Sequence, residues 1–123
     1  MAEHYSSFER KGSRWLLQRL TAVFLIGVLA FHFLLLHFVN HADEVTLAAT
    51  GARMSVEPYF VTMMLFLVTA TFHGVNGVYN ALINQGLSGT RKRAVKWVLV
   101  VAGVLLVAQG TRVAVAMATA PAT

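Results

Sequence analysis

A histidine sits in the middle of a long apolar stretch, and it has polar neighbours at helical spacing. Thr62, Thr69, His73, Asn76, Asn80 and Asn84 fall within about 80° of one helix face when each residue advances the chain by about 100°. Met63, Met64, Leu65, Phe66, Leu67, Val68, Phe72 and Val78 make up the rest of that helix surface. In hydrocarbon such a stripe must face protein, a cofactor or water. The imidazole then has two uses. It can be an axial ligand to haem iron, or it can tie its helix to a neighbour by hydrogen bonds. His73 lies about 14 Å from the end of its stretch near Leu82, and Gly74 and Gly77 leave room beside it for a macrocycle or for close helix packing.

A second set of candidates lies earlier in the chain. His32 shares a face with Gln18 and Thr21, about 24 Å from Leu16, which makes it a candidate second ligand. His37 lies on nearly the opposite face, at the boundary of its stretch, and His41 falls among headgroups. Counted this way, His32 and His73 differ in depth by about 10 Å, too far for one haem and suited to two. Arg19, one turn beyond Trp15, either snorkels to lipid phosphate or meets a haem propionate or a quinone carbonyl. Arg112, with Gln109 one turn before it, has the same choice near the other end, with an outer haem propionate as its partner.

Three stretches must position these groups. In a chain of 123 residues, 57% hydrophobic and 12% charged, apolar runs over 16–39, 59–83 and 95–118 each reach the roughly 20 residues that cross a bilayer core. One transmembrane domain over 1–123, all-α with three spans, accounts for the chain. The net charge of +5 does not point to nucleic acid, because of where the charges fall. Arg10, Lys11, Arg14 and Arg19 precede or open the first span, and Arg91, Lys92, Arg93 and Lys96 lie between the second and third. The connection after the first span holds Asp43, Glu44 and Glu57 against Arg53. An excess of cations on two alternate segments puts the N-terminus on the cytoplasmic or matrix side and the C-terminus outside, in an inner or cytoplasmic membrane. Trp15, Tyr59 and Trp97 fall at the expected interfacial belts, and Tyr5 and Phe8 belong to a polar lead that is not a cleavable signal.

What is missing also narrows the function. With no cysteine there is no disulfide, thiolate metal site or Cys-ligated iron–sulfur cluster. No catalytic nucleophile, carboxylate pair or phosphate loop occurs. The spans carry no Asp or Glu, which argues against a proton-relay pump or ion-coupled transporter. The chain reads as one part of a larger assembly.

Two segments resemble a known family. Trp15-Leu16-Leu17-Gln18-Arg19-Leu20-Thr21-Ala22-Val23 resembles the W-x-x-Q-R-x-T-A-V opening of the D-type hydrophobic membrane anchor of succinate dehydrogenase, respiratory complex II. His73-Gly74-Val75-Asn76-Gly77, with Asn84 further on, resembles the haem-binding helix of that cytochrome b-containing subunit. The resemblance implies a bundle formed with a second, C-type anchor, which together hold the iron–sulfur and flavoprotein subunits at the lipid bilayer. It implies one b-type haem, or two, with His73 as an axial ligand and the other ligand from the partner anchor. It puts Gln18, Arg19 and Asn84 near ubiquinone or menaquinone, and makes His32 the ligand of a two-haem variant. Succinate oxidation itself would belong to the other subunits. This sequence departs from the family in having Asn84-Gln85 where an Asp-Tyr pair is usual, and Asn76-Gly77 also resembles the C-type anchor. Two other readings stand beside it: the anchor of a quinol:fumarate reductase, and a cofactor-free accessory subunit of another respiratory complex.

Overall fold

The structure, a computed structural model, describes the backbone of residues 2–120 and the side chains of residues 12–120. Tyr5, Phe8, Arg10 and Lys11 therefore lie outside the described side chains, and residues 121–123 lie outside the description altogether. Four α-helices follow one another: α1 (Ala2–Leu34), α2 (Leu47–Met54), α3 (Glu57–Asn84) and α4 (Gly89–Ala118). Three helical segments, Gly12–Val39, Glu57–Asn84 and Gly89–Ala118, are long and apolar enough to cross a membrane. Each begins or ends beyond the apolar run itself on the cation-rich side. Arginine and lysine stems can continue a helix along the interface while their heads stay in water, so hydropathy cuts these helices short.

Local chemistry sets the helix ends. The first span closes in a π-helical turn over Leu35–Val39, where Asn40 N donates to Leu35 O at 2.9 Å. The connection that follows is partly helical. Thr46 caps α2 by accepting from Ala49 N at 3.1 Å. Pro58 sits in the first turn of α3, where its missing N–H costs nothing. Ser55 donates to Ala52 O at 2.7 Å, and Val56 takes the cap position of α3. At the other end of α3, Gly86 adopts φ +94°. Gly86 N bonds to Ile83 O at 2.9 Å and Leu87 N to Leu82 O at 3.0 Å, a Schellman stop that turns the chain into α4.

α3 is the hub: it packs against α1 on one side and α4 on the other, and α2 lies against α3 and α4. Small residues allow the close approaches. A Cβ at Gly103 would lie 3.1 Å from Val75 Cγ2 and 3.2 Å from Thr71 Cγ2, and one at Gly110 would run into the Leu67 side chain. Among the described residues only Met54, the last residue of α2, is a buried large apolar side chain. The chain exposes 9315 Å², against about 6500 Å² for a compact soluble chain of its mass. Three spans in a row, with α3 between the other two, leave their apolar flanks for lipid and for other protein. This is an all-α, multi-pass membrane protein.

Candidate functional site

The polar side chains meet where α1 crosses α3. Thr21 Oγ1 lies 3.0 Å from His73 Nδ1. Gln18 Nε2 donates to the His73 carbonyl at 3.2 Å, and Asn76 Nδ2 donates to Gln18 Oε1 at 2.7 Å. Gln18 Nε2 also approaches His73 Nε2, at 3.5 Å, the limit of hydrogen bonding. His73, Asn76, Gln18 and Thr21 are each half-buried, and Gly74, next to His73, is exposed with nothing within 4 Å of where its Cβ would be. Gly77 has a specific reason to lack a side chain: a Cβ there would come within 3.3 Å of Gln18 Nε2.

The backbone explains how four residues converge. Gln18 and Thr21 are three apart on α1, and His73 and Asn76 are three apart on α3, so each pair stands on one face about one turn apart. Two such pairs interlock only if the helices are in register at this level.

The stripe along α3 is engaged only in its middle. Thr62 Oγ1 donates to its own helix at Pro58 O, 2.8 Å away. Asn80 and Asn84 are exposed and make no hydrogen bond among the described residues. On the opposite side of α3 the surroundings are apolar: a groove of about 490 Å³ between α3 and α4 is lined by Thr71, Phe72, Val75, Gly103, Val104 and Val107. Even there the Thr71 hydroxyl is spent on Leu67 O at 2.8 Å.

The remaining candidates are dispersed. Arg19 lies about 130° round α1 from the direction of Gln18 and Thr21. Its guanidinium stands 5.4 Å from the Trp15 ring centroid, outside the cluster. His32 faces α3 as expected and lies 3.5 Å from the Tyr59 hydroxyl through Nδ1. His37 stacks on Phe33 with ring centroids 4.1 Å apart and holds Phe33 O at 3.2 Å through Nδ1. Arg112 and Gln109 are both exposed on α4.

The spacing of the two candidate histidines needs correction. His73 is level with Thr21, and His32 follows Thr21 by eleven residues, so the depths differ by about 16 Å rather than 10 Å. The smaller figure counts each helix from the end of its apolar run, at Leu16 and Leu82, whereas the Thr21–His73 contact sets their register directly. Thr21 is the member that sequence reasoning left without a role. Its signal was present, in the face it shares with Gln18.

Chemically, His73 is the one ligand-capable group in the cluster. Among the described residues no three histidine, cysteine or carboxylate side chains gather to hold a bare ion. A macrocycle with four nitrogens of its own asks much less of the protein, one imidazole from each side. The donor set fits that need, with Nδ1 held at 3.0 Å and Nε2 the less committed nitrogen.

The family model for the succinate dehydrogenase/fumarate reductase transmembrane subunit matches residues 2–111. The chain belongs to that family. The match takes in all four residues of the cluster and stops one residue short of Arg112. Over 81 residues, 66% of this chain and 68% of the relative, the subunit is 27% identical to the succinate dehydrogenase hydrophobic membrane anchor subunit of Archaeoglobus fulgidus. No solved structure matches. As a transmembrane subunit of a succinate dehydrogenase or fumarate reductase complex, it has other subunits and membrane lipid as neighbours.

Proposed function

We propose that this subunit is the D-type anchor of a succinate:quinone oxidoreductase in the inner or cytoplasmic membrane. It binds one b-type haem through His73 and helps to form the quinone site. The carrying observation is the His73 ring itself, half-buried in a membrane span, clamped at Nδ1 with Nε2 only weakly engaged. A haem bound there supplies a one-electron redox centre. The chain's own part is to hold the imidazole at fixed depth and rotation and to keep water from the ring through the packing of α1 on α3. The opposite ligand then comes from a second anchor of the C type. The iron–sulfur and flavoprotein subunits sit at the cation-rich end, taken as the cytoplasmic or matrix side from the distribution of Arg14, Arg91, Lys92 and Arg93.

The quinone, ubiquinone or menaquinone, is assigned to that same end. Asn84 supports this, because an exposed amide at the foot of a span can donate to a quinone carbonyl or accept from a quinol hydroxyl. Gln18 contributes indirectly, since its amide is already committed to His73 and Asn76. The succinate dehydrogenase name of the relative favours succinate as the electron source.

The test is a reduced-minus-oxidised absorption spectrum of the purified complex, wild type against His73→Ala. A b-type α-band present in the wild type and lost in the variant is the expected result. An unchanged band in an intact His73→Ala complex would overturn ligation by His73.

A further inference from the structure

The hydrogens around His73 can be placed without reference to any ligand. The Thr21 hydroxyl carries one proton. Leu17 O lies 2.7 Å from Thr21 Oγ1 and Gln18 O lies 3.1 Å away. Both are backbone carbonyls, which only accept, so the hydroxyl proton points back into α1. Facing His73 Nδ1 at 3.0 Å, Thr21 Oγ1 is left as an acceptor. With the hydroxyl proton on Leu17 O, its nearest acceptor, the proton between them comes from the ring.

Gln18 gives the same answer independently. The atom of its amide that lies 3.2 Å from the His73 carbonyl must be the nitrogen, because a carbonyl oxygen cannot donate. That choice turns Gln18 Oε1 toward Asn76 Nδ2 at 2.7 Å, where a donor is waiting. It also sets an amide N–H, rather than an acceptor, nearest to His73 Nε2, at 3.5 Å. A ring nitrogen that faces a donor carries a lone pair.

We infer that Thr21 is a positioning residue that locks His73 in the tautomer with the proton on Nδ1, which leaves the lone pair on Nε2, the nitrogen that Gln18 approaches only at 3.5 Å. A hydrogen bond from the distal ring nitrogen fixes ring rotation and raises ligand basicity, the usual office of groups behind a metal-bound histidine. Thr21 performs it with its single proton drawn away by the backbone, so it does not compete as a donor. The consequence for iron rests on the haem reading above; the tautomer does not.

The experiment has two parts, with Thr21→Val removing the acceptor at nearly constant shape and Thr21→Ser keeping it. In the purified oxidised complex, the rate of haem transfer to an acceptor apoprotein is measured for both variants. Thr21→Val is expected to lose haem about 10- to 100-fold faster than wild type, with Thr21→Ser close to wild type. Equal rates for Thr21→Val and wild type would overturn the positioning role. In the full-length chain in lipid bilayers without haem, ¹⁵N NMR of the His73 ring, assigned by its loss in His73→Gln, is expected to show a protonated Nδ1 and a bare Nε2. A proton on Nε2 in the wild type would overturn the tautomer. A wild-type complex without haem, or one that keeps its haem in His73→Ala, would remove the haem reading while the ring nitrogens still decide the tautomer.

Discussion

Asn76 and Gln18 are joined across α3 and α1 by a 2.7 Å bond from Nδ2 to Oε1, the shortest link between side chains among the described residues. Both groups are half-buried where α1 crosses α3. Bonds of this kind between membrane helices are worth about 0.6 kcal/mol on average and at most about 1.7. A double-mutant cycle of Gln18→Leu and Asn76→Leu, followed by unfolding of the detergent-solubilised protein, is expected to give a coupling in that range. A coupling of zero would mean that the bond is not made in the folded protein.

The α3–α4 contact makes a different prediction. Gly103 faces Val75 and Thr71, whose β-branched side chains are stiff on a helix and cannot turn aside. Gly103→Val is expected to destabilise by about 1–3 kcal/mol, as overpacking does. Gly27 has nothing within 4 Å of where its Cβ would be, so Gly27→Val is expected to leave the thermal midpoint unchanged. A parallel melting series settles it, and equal shifts for the two variants would refute the packing argument.

His32 separates one haem from two. Its Nδ1 is 3.5 Å from the Tyr59 hydroxyl, against 3.0 Å between His73 Nδ1 and Thr21 Oγ1. It stands about 16 Å from the level of His73. His32→Ala is expected to leave the ratio of haem to protein unchanged. Pyridine haemochrome analysis of the purified complex checks this, and a halved ratio would establish a second haem at His32.

At the cation-rich end, Asn84→Leu is expected to raise the KM for quinone by about 2- to 10-fold, the worth of one hydrogen bond. Reduction of a soluble dye by succinate and the haem band should both stay as in wild type. An unchanged KM would take Asn84 out of the quinone site.

Much of the architecture was legible in the sequence because burial in lipid leaves a coarse signature. Twenty apolar residues in a row need no partner to be recognised, and the cations at Arg14 and Arg91 mark the ends. α2 was not legible, since eight residues, about two turns, are too few for a helical pattern to stand out from a loop. Within the site, periodicity put Gln18, Thr21 and His32 on one face of α1 and His73 and Asn76 on one face of α3. It could not say which residue of one face stands opposite which residue of the other. Register between helices depends on where each helix starts in the membrane, and an apolar run by itself does not mark that point. The same uncertainty produced the error in the depth of His32.

Both walls of the His73 cluster belong to one polypeptide, on spans that are synthesised one after the other. Once α3 lies down on α1 the ring has its direction, before a partner chain need be present. Assembly thus has an order built into it, with aiming ahead of filling. A partner that brought a second ligand would meet a target already at rest, and the entropy of stilling that ring is settled beforehand, inside a single chain.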